Sequence, residues 1–160
     1  MVGPALVIGL GNPILGDDGV GWRVADEVDR RLAACPAPSP VTVERLAVGG
    51  LALMERLVGC ERAIIIDSYL GDGEPGTVRS SPLAERDGRP VGHLDSPHDA
   101  PLASALAAGR ALGAQLPEDV VLVTVDTIPL DVFDDALTAP VAAAVDLAAD
   151  EVMALIARAT

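Results

Sequence analysis

Three short, uninterrupted apolar runs constrain this chain more than any other feature. Ala5-Leu-Val-Ile-Gly-Leu10, Ala63-Ile-Ile-Ile66 and Val120-Val-Leu-Val-Thr-Val125 are each of strand length and carry no charge. A run that never alternates with polar residues reads as a strand covered on both faces, the condition of a parallel sheet with helices above and below. Between the runs the period changes. From Gly19 onward, Val20, Val24, Ala25, Val28 and Leu32 share one helical face, and Arg23, Asp26, Glu27, Arg30 and Arg31 share the other. Asp26–Arg30 and Glu27–Arg31 are spaced as i,i+4 ion pairs. Val41–Leu46 alternates enough to be a second strand, and Gly49 to Val58 carries Leu51, Met54 and Val58 at helical spacing. Gly71, Gly73, Pro75 and Gly76 predict a turn, followed by a short edge strand at Thr77-Val-Arg79. Ser80 to Ser96 is polar and broken by Pro and Gly, and a loop of that length inside a compact domain is more often functional than idle. A helix is predicted from Asp99 to Leu112, with Leu102, Ala105, Leu106, Gly109 and Leu112 on one face. Thr138 caps a last helix whose stripe is Val141, Ala144, Val145, Ala148, Val152, Leu155 and Ile156. The expected fold class is α/β. It is a single domain over residues 1–160, in three layers, with a mostly parallel twisted sheet, helices on both faces and one short antiparallel edge strand.

Composition narrows the function. The 160 residues carry a net charge of −13, and all 11 basic residues are Arg. Such a surface repels phosphate backbones and anionic lipid, so neither nucleic acid nor a membrane is expected as partner. Cys35 and Cys60 form no CxxC pair and cannot build a disulfide framework or a four-thiolate zinc site. The first residues lack the positive region of a secretory signal and no apolar run approaches 18 residues, so the cytoplasm is the expected compartment.

The common nucleotide and hydrolase motifs fail. Gly9-Leu-Gly11 follows a strand, but Ile14 stands where a dinucleotide fingerprint needs its third glycine. A phosphate-binding GK[ST] loop is excluded because the chain has no lysine. Neither GxSxG nor HExxH occurs. No nucleotide cofactor is expected.

What remains is a set of polar residues at loop and strand ends. Open α/β sheets gather ligands outside the carboxyl ends of their strands. Asp17 and Asp18 follow the first strand by a short loop, Asp67 ends the most apolar strand, and His98 sits where the long loop meets a helix. Two carboxylates and an imidazole with open positions suit a borderline divalent metal such as nickel, zinc or manganese. Each residue also has an ordinary use. Asp17 or Asp18 would cap the following helix. Asp67 would accept bonds from turn amides. His98 would be a plain surface histidine, with His93 an equal candidate on spacing. Asn12 would shape the first turn or contact substrate.

The ordered residues resemble a known family. Gly11-Asn-Pro-Ile-Leu-Gly-Asp-Asp-Gly-Val-Gly21 looks like the GNxLxxDDGxG signature of the [NiFe]-hydrogenase maturation endopeptidases. Ile64-Ile-Ile-Asp67 with Pro75-Gly-Thr77 resembles that family's second block, and Ser96-Pro-His98 before a Leu-containing helix resembles its third. The resemblance implies a metal-dependent endopeptidase that removes the C-terminal extension of a nickel-loaded hydrogenase large-subunit precursor. It places the metal-contacting and catalytic positions on Asp18, Asp67 and His98, with the nickel supplied by the substrate. Asn12 and Asp17 are then assigned to substrate contact, and Asp17 or Asp99 to proton transfer. One departure is Arg45-Leu-Ala-Val-Gly-Gly50, which has no Asp where many members carry an Asp-Gly-Gly-Thr-like segment. Two rivals stand beside this reading. One is a non-catalytic, nickel-dependent binding protein on the same fold. The other is an enzyme like the peptidyl-tRNA hydrolases, whose opening Val7–Pro13 resembles and whose early histidine this acidic chain lacks.

Overall fold

The computed structural model describes residues 5–85, 94, 100–129 and 133–158. Its centre is a five-stranded sheet of β1 (Ala5–Leu10), β2 (Val41–Leu46), β3 (Arg62–Tyr69), β4 (Val78–Pro82) and β5 (Asp119–Asp126), in the order β2-β1-β3-β5-β4. The first, second, third and fifth strands are parallel. β4 is the antiparallel edge strand, pairing Val78 with Val125 and Pro82 with Val121. It is longer than Thr77-Val-Arg79 predicts, and it ends on Pro82, a residue tolerated at an edge.

Four helices cover the sheet: α1 (Val20–Ala34), α2 (Gly50–Leu57), α3 (Leu102–Ala111) and α4 (Ala139–Arg158). Alternate strand residues feed two cores, as the two-residue period of a strand requires. Ile64, Ile66, Val121 and Val123 pack with α1 and α4 on one face. Ala63, Ile65, Val120 and Leu122 pack with α2 and α3 on the other. Every residue of β1 is buried, which is why its sequence shows no polar alternation. The three-layer α/β expectation holds.

Local expectations met mixed outcomes. Val20, Val24, Ala25 and Val28 are fully buried on α1 as predicted. The charged face pairs differently: Glu27 accepts from both Arg30 and Arg31, while Asp26 turns to Arg45 on β2, so the Asp26–Arg30 pair does not form. On α2 the buried stripe is Gly50, Leu53 and Leu57, and Leu51 and Val58 face outward. Two apolar stripes one residue apart compete on this two-turn helix, and the one with two leucines spaced by four faces the sheet. The helix expected over 99–112 begins at Leu102 and ends at Ala111. Gly113, at φ +86°, bends the chain so that Leu112 is 89% exposed rather than buried. Leu94, inside the long polar loop, is fully buried in the α2–α3 core.

Candidate active site at the carboxyl edge of β1 and β3

The strand order reverses between β1 and β3. From β1 the chain crosses by α1 to β2, on one side and over one face; from β3 it continues by way of β4 and α3 to β5, on the other side with α3 on the opposite face. Connections that part in this way leave a crevice at the strand carboxyl ends, the usual ligand position in open α/β sheets. Leu10 ends β1 and Asp67 lies just past the Gly9–Ile66 pair of the neighbouring strand, so both stand at this end of the sheet.

Close packing of glycines fixes the first loop. A Cβ on Gly21 would stand 2.7 Å from the Ile66 carbonyl oxygen and nearer still to that of Leu10. One on Gly9 would meet Ala25 Cβ at 2.8 Å. The first turn of α1 therefore lies directly on β1 and β3. Gly11, at φ +143°, then turns the chain out of the sheet against the Asp18 carbonyl. Asn12 makes the predicted turn, its Oδ1 accepting the Ile14 amide at 3.2 Å.

The two neighbouring aspartates separate. Residues 16–19 form a single 3-10 turn, in which successive side chains point about 120° apart. Asp17 turns inward and is 1% exposed. Its Oδ1 accepts the Thr138 amide at 2.7 Å and its Oδ2 the Thr138 hydroxyl at 2.8 Å, immediately before α4. This carboxylate ties the start of α1 to the start of α4. Neither the substrate contact nor the proton transfer assigned to Asp17 has support in this geometry, because both oxygens are engaged within the fold. Asp18 turns toward the strand ends. Its Oδ2 accepts the Asn12 amide at 2.9 Å and its Oδ1 the Ser68 hydroxyl at 3.3 Å. Neither aspartate caps α1, whose N-cap is Gly19 without a side-chain bond.

Asp67 is fully buried, and its Oδ1 accepts the Ser68 amide at 2.9 Å. Ser68 thus bonds both carboxylates, its hydroxyl to Asp18 and its amide to Asp67. Asp67 does not end its strand as the sequence predicts, since β3 continues through Ser68 to Tyr69, and Ser68, which the sequence did not single out, is the hydroxyl directly after that aspartate. His98, His93 and Asp99 lie outside the described residues. Among the described residues no three His, Cys, Asp or Glu side chains form a group able to hold a metal ion.

A third buried carboxylate, Asp126, ends β5 two positions along. Its Oδ1 accepts from Arg79 of β4, and this bond raises the arginine's already high pKa. The Asp126 backbone bonds Gly76 and Thr77, which fastens the turn after β3 to the same edge.

Known proteins share this architecture and sequence. A family model described as hydrogenase maturation protease matches residues 23–155. The Bradyrhizobium diazoefficiens hydrogenase expression/formation protein HupD is 31% identical over 150 residues, covering 89% of this chain and 74% of its own. The hydrogenase maturating endopeptidase HybD from Escherichia coli superposes with a TM-score of 0.71 at 27% identity, covering 95% of this chain and 91% of that one. The hydrogenase 2 maturation peptidase from a Thaumarchaeota archaeon gives 0.64 at 29% identity, over 95% and 97% of the two chains. Among the described residues no helix is long and apolar enough to cross a membrane. The chain belongs to the hydrogenase maturation protease family, a family of processing peptidases.

Proposed function

We propose that this protein is the endopeptidase that shortens the C terminus of a nickel-loaded [NiFe]-hydrogenase large-subunit precursor, and that Asp18, Asp67 and His98 meet the precursor's nickel. The observation that carries the reading is Ser68, which bonds Asp18 through its hydroxyl and Asp67 through its amide and so links carboxylates from two distant segments at the carboxyl end of β1 and β3. Carboxylate oxygens with an imidazole suit nickel in an N/O environment. The nickel is part of the substrate in this reading; bound there, it would polarise the scissile carbonyl and acidify a water. The chain's own contribution is placement. The Asn12 amide and the Ser68 hydroxyl each hold one oxygen of Asp18, and burial together with the Ser68 amide fixes Asp67. A protein cut once needs a site completed only by its own substrate, and a metal arriving with the precursor meets that need. Incubation of wild type with nickel-loaded precursor should release the C-terminal peptide, read by mass spectrometry. Asp18→Ala, Asp67→Asn and His98→Ala should each stay folded by circular dichroism and leave the precursor at full length. Complete processing by all three variants overturns the site assignment, and an intact precursor held in a stable complex by wild type makes the protein a binder rather than a protease.

A further inference from the structure

Four exposed apolar side chains stand on the loops that leave the carboxyl ends of the sheet: Ile14 (55% exposed), Leu70 (61%), Ile128 (43%) and Phe133 (82%). Backbone bonds draw them into two pairs. The Asp134 amide donates to the Ile14 carbonyl at 3.1 Å and the Gly16 amide to the Asp134 carbonyl at 2.6 Å, which sets Phe133 beside Ile14 after β1. The Thr127 amide donates to the Tyr69 carbonyl at 2.9 Å, which sets Ile128 beside Leu70 after β3 and β5. Asp18 follows Ile14 in the segment after β1, and Ser68 lies two residues before Leu70 near the end of β3, so both apolar pairs stand at the sheet end that carries the Asp18–Ser68 bond. Large apolar groups gathered at one end and left exposed mark an interaction surface rather than scatter.

Charge identifies the occupant. Glu74, Asp134 and Asp135 are exposed on the same loops. Arg23 donates to the backbone carbonyl of Asp135 rather than to its carboxylate. A second copy of this chain would set acidic rim against acidic rim, on top of a net charge of −13. We propose that this collar docks the folded precursor itself, through an apolar face with basic side chains around its C-terminal tail. The inference rests on the protease reading and extends it: the carboxylates meet the metal while the collar supplies affinity and orientation. Apolar anchors then provide most of the binding strength, and the acidic rim sets partner choice and association rate.

The test measures binding of nickel-loaded precursor to immobilised wild type, Phe133→Ser, Leu70→Ser and two controls, Leu112→Ser and Leu147→Ser, whose leucines are exposed elsewhere. All four positions face solvent, so thermal midpoints should agree within a few degrees. The collar variants should weaken binding at least tenfold and raise KM for processing with little change in kcat. The controls should stay within twofold of wild type, and added salt should weaken wild-type binding. Collar variants that bind and process like wild type overturn the proposal and leave the protease reading intact. Collar-dependent binding of a precursor that is never shortened supports the proposal and overturns the protease reading. Wild type that binds no precursor, or that forms a dimer dissolved by Phe133→Ser, also overturns the collar's assignment to the precursor.

Discussion

Replacing Gly21 with alanine tests whether the first turn of α1 truly lies on the sheet. In an ordinary helix the change would stabilise, because alanine exceeds glycine in helix propensity by about 1 kcal/mol. Here the added methyl would stand 2.7 Å from the Ile66 oxygen and closer to that of Leu10, and both are backbone atoms of central strands that cannot swing aside. Relief to an ordinary contact needs the helix to lift by more than half an ångström. Overpacking of this kind costs ~3 kcal/mol at the upper end of its usual range. The net expectation is a loss of about 2 kcal/mol, and at roughly 2–4 °C per kcal/mol for a domain of this size the thermal midpoint falls by about 4–8 °C. Gly113→Ala is the control. Its φ is +86° and nothing stands within 4 Å of the added atom, so it bears only the ~1 kcal/mol of a left-handed alanine. Calorimetry or chemical denaturation of the two variants separates steric from conformational cost. Gly21→Ala should also lower processing of the precursor below its melting range, because the lift moves Asp18, three residues upstream, away from Ser68. A Gly21→Ala protein as stable as wild type, or more stable, refutes the close approach of α1 to β1 and β3 and with it this account of how Asp18 is held.

Two further outcomes follow from named bonds. Asp17→Ala removes both acceptors of Thr138, and since bonds to a charged group are worth about 1.5–3 kcal/mol each but water reaches the half-buried threonine, the loss should be ~2–3 kcal/mol in urea titration. Precursor processing at low temperature should survive it, whereas Asp18→Ala should abolish processing with a smaller loss of stability. Glu27 is held at about 2, down from 4.5, chiefly by its bond to the Arg30 guanidinium and next by Arg31. A carboxyl depressed in the folded state contributes stability that is complete above its unfolded value and is lost as pH falls from there through the folded one. Glu27→Gln should therefore flatten the acid limb of the stability curve between about pH 4.5 and 2, and a Glu27 carboxyl carbon titrating near 4.5 by NMR would contradict the paired geometry.

The sheet was legible because burial on both faces leaves a composition that few other structures tolerate. Ala5–Leu10, Ala63–Ile66 and Val120–Val125 all became central strands, and the edge strand expected at Thr77–Arg79 beyond the Pro/Gly turn formed over Val78–Pro82. Short helices were less legible. Leu51 and Leu53 offered α2 two apolar faces of nearly equal merit, and only packing against β1 and β3 decides between them. The Asp26–Arg30 spacing was correct for a pair, but Arg45 on the next strand competes for Asp26 and prevails.

Asp17 and Asp18 show where sequence reasoning about a site must stop. Two identical neighbours in one motif are equivalent on chemistry, charge and spacing. What separates them is a turn of backbone, since a 3-10 conformation over Gly16–Gly19 divides their directions by about a third of a circle. One carboxylate then finds Thr138, 121 residues away, and the other finds Ser68, 50 residues away. Neither partner lies within reach of a local motif. The turn itself is set by Gly11, where a side chain would strike the Asp18 carbonyl, and by Gly21, where α1 approaches β1 and β3 too closely for any side chain. The glycines of the motif therefore do as much for the site as its aspartates: they decide which carboxylate holds the fold together and which one faces the crevice.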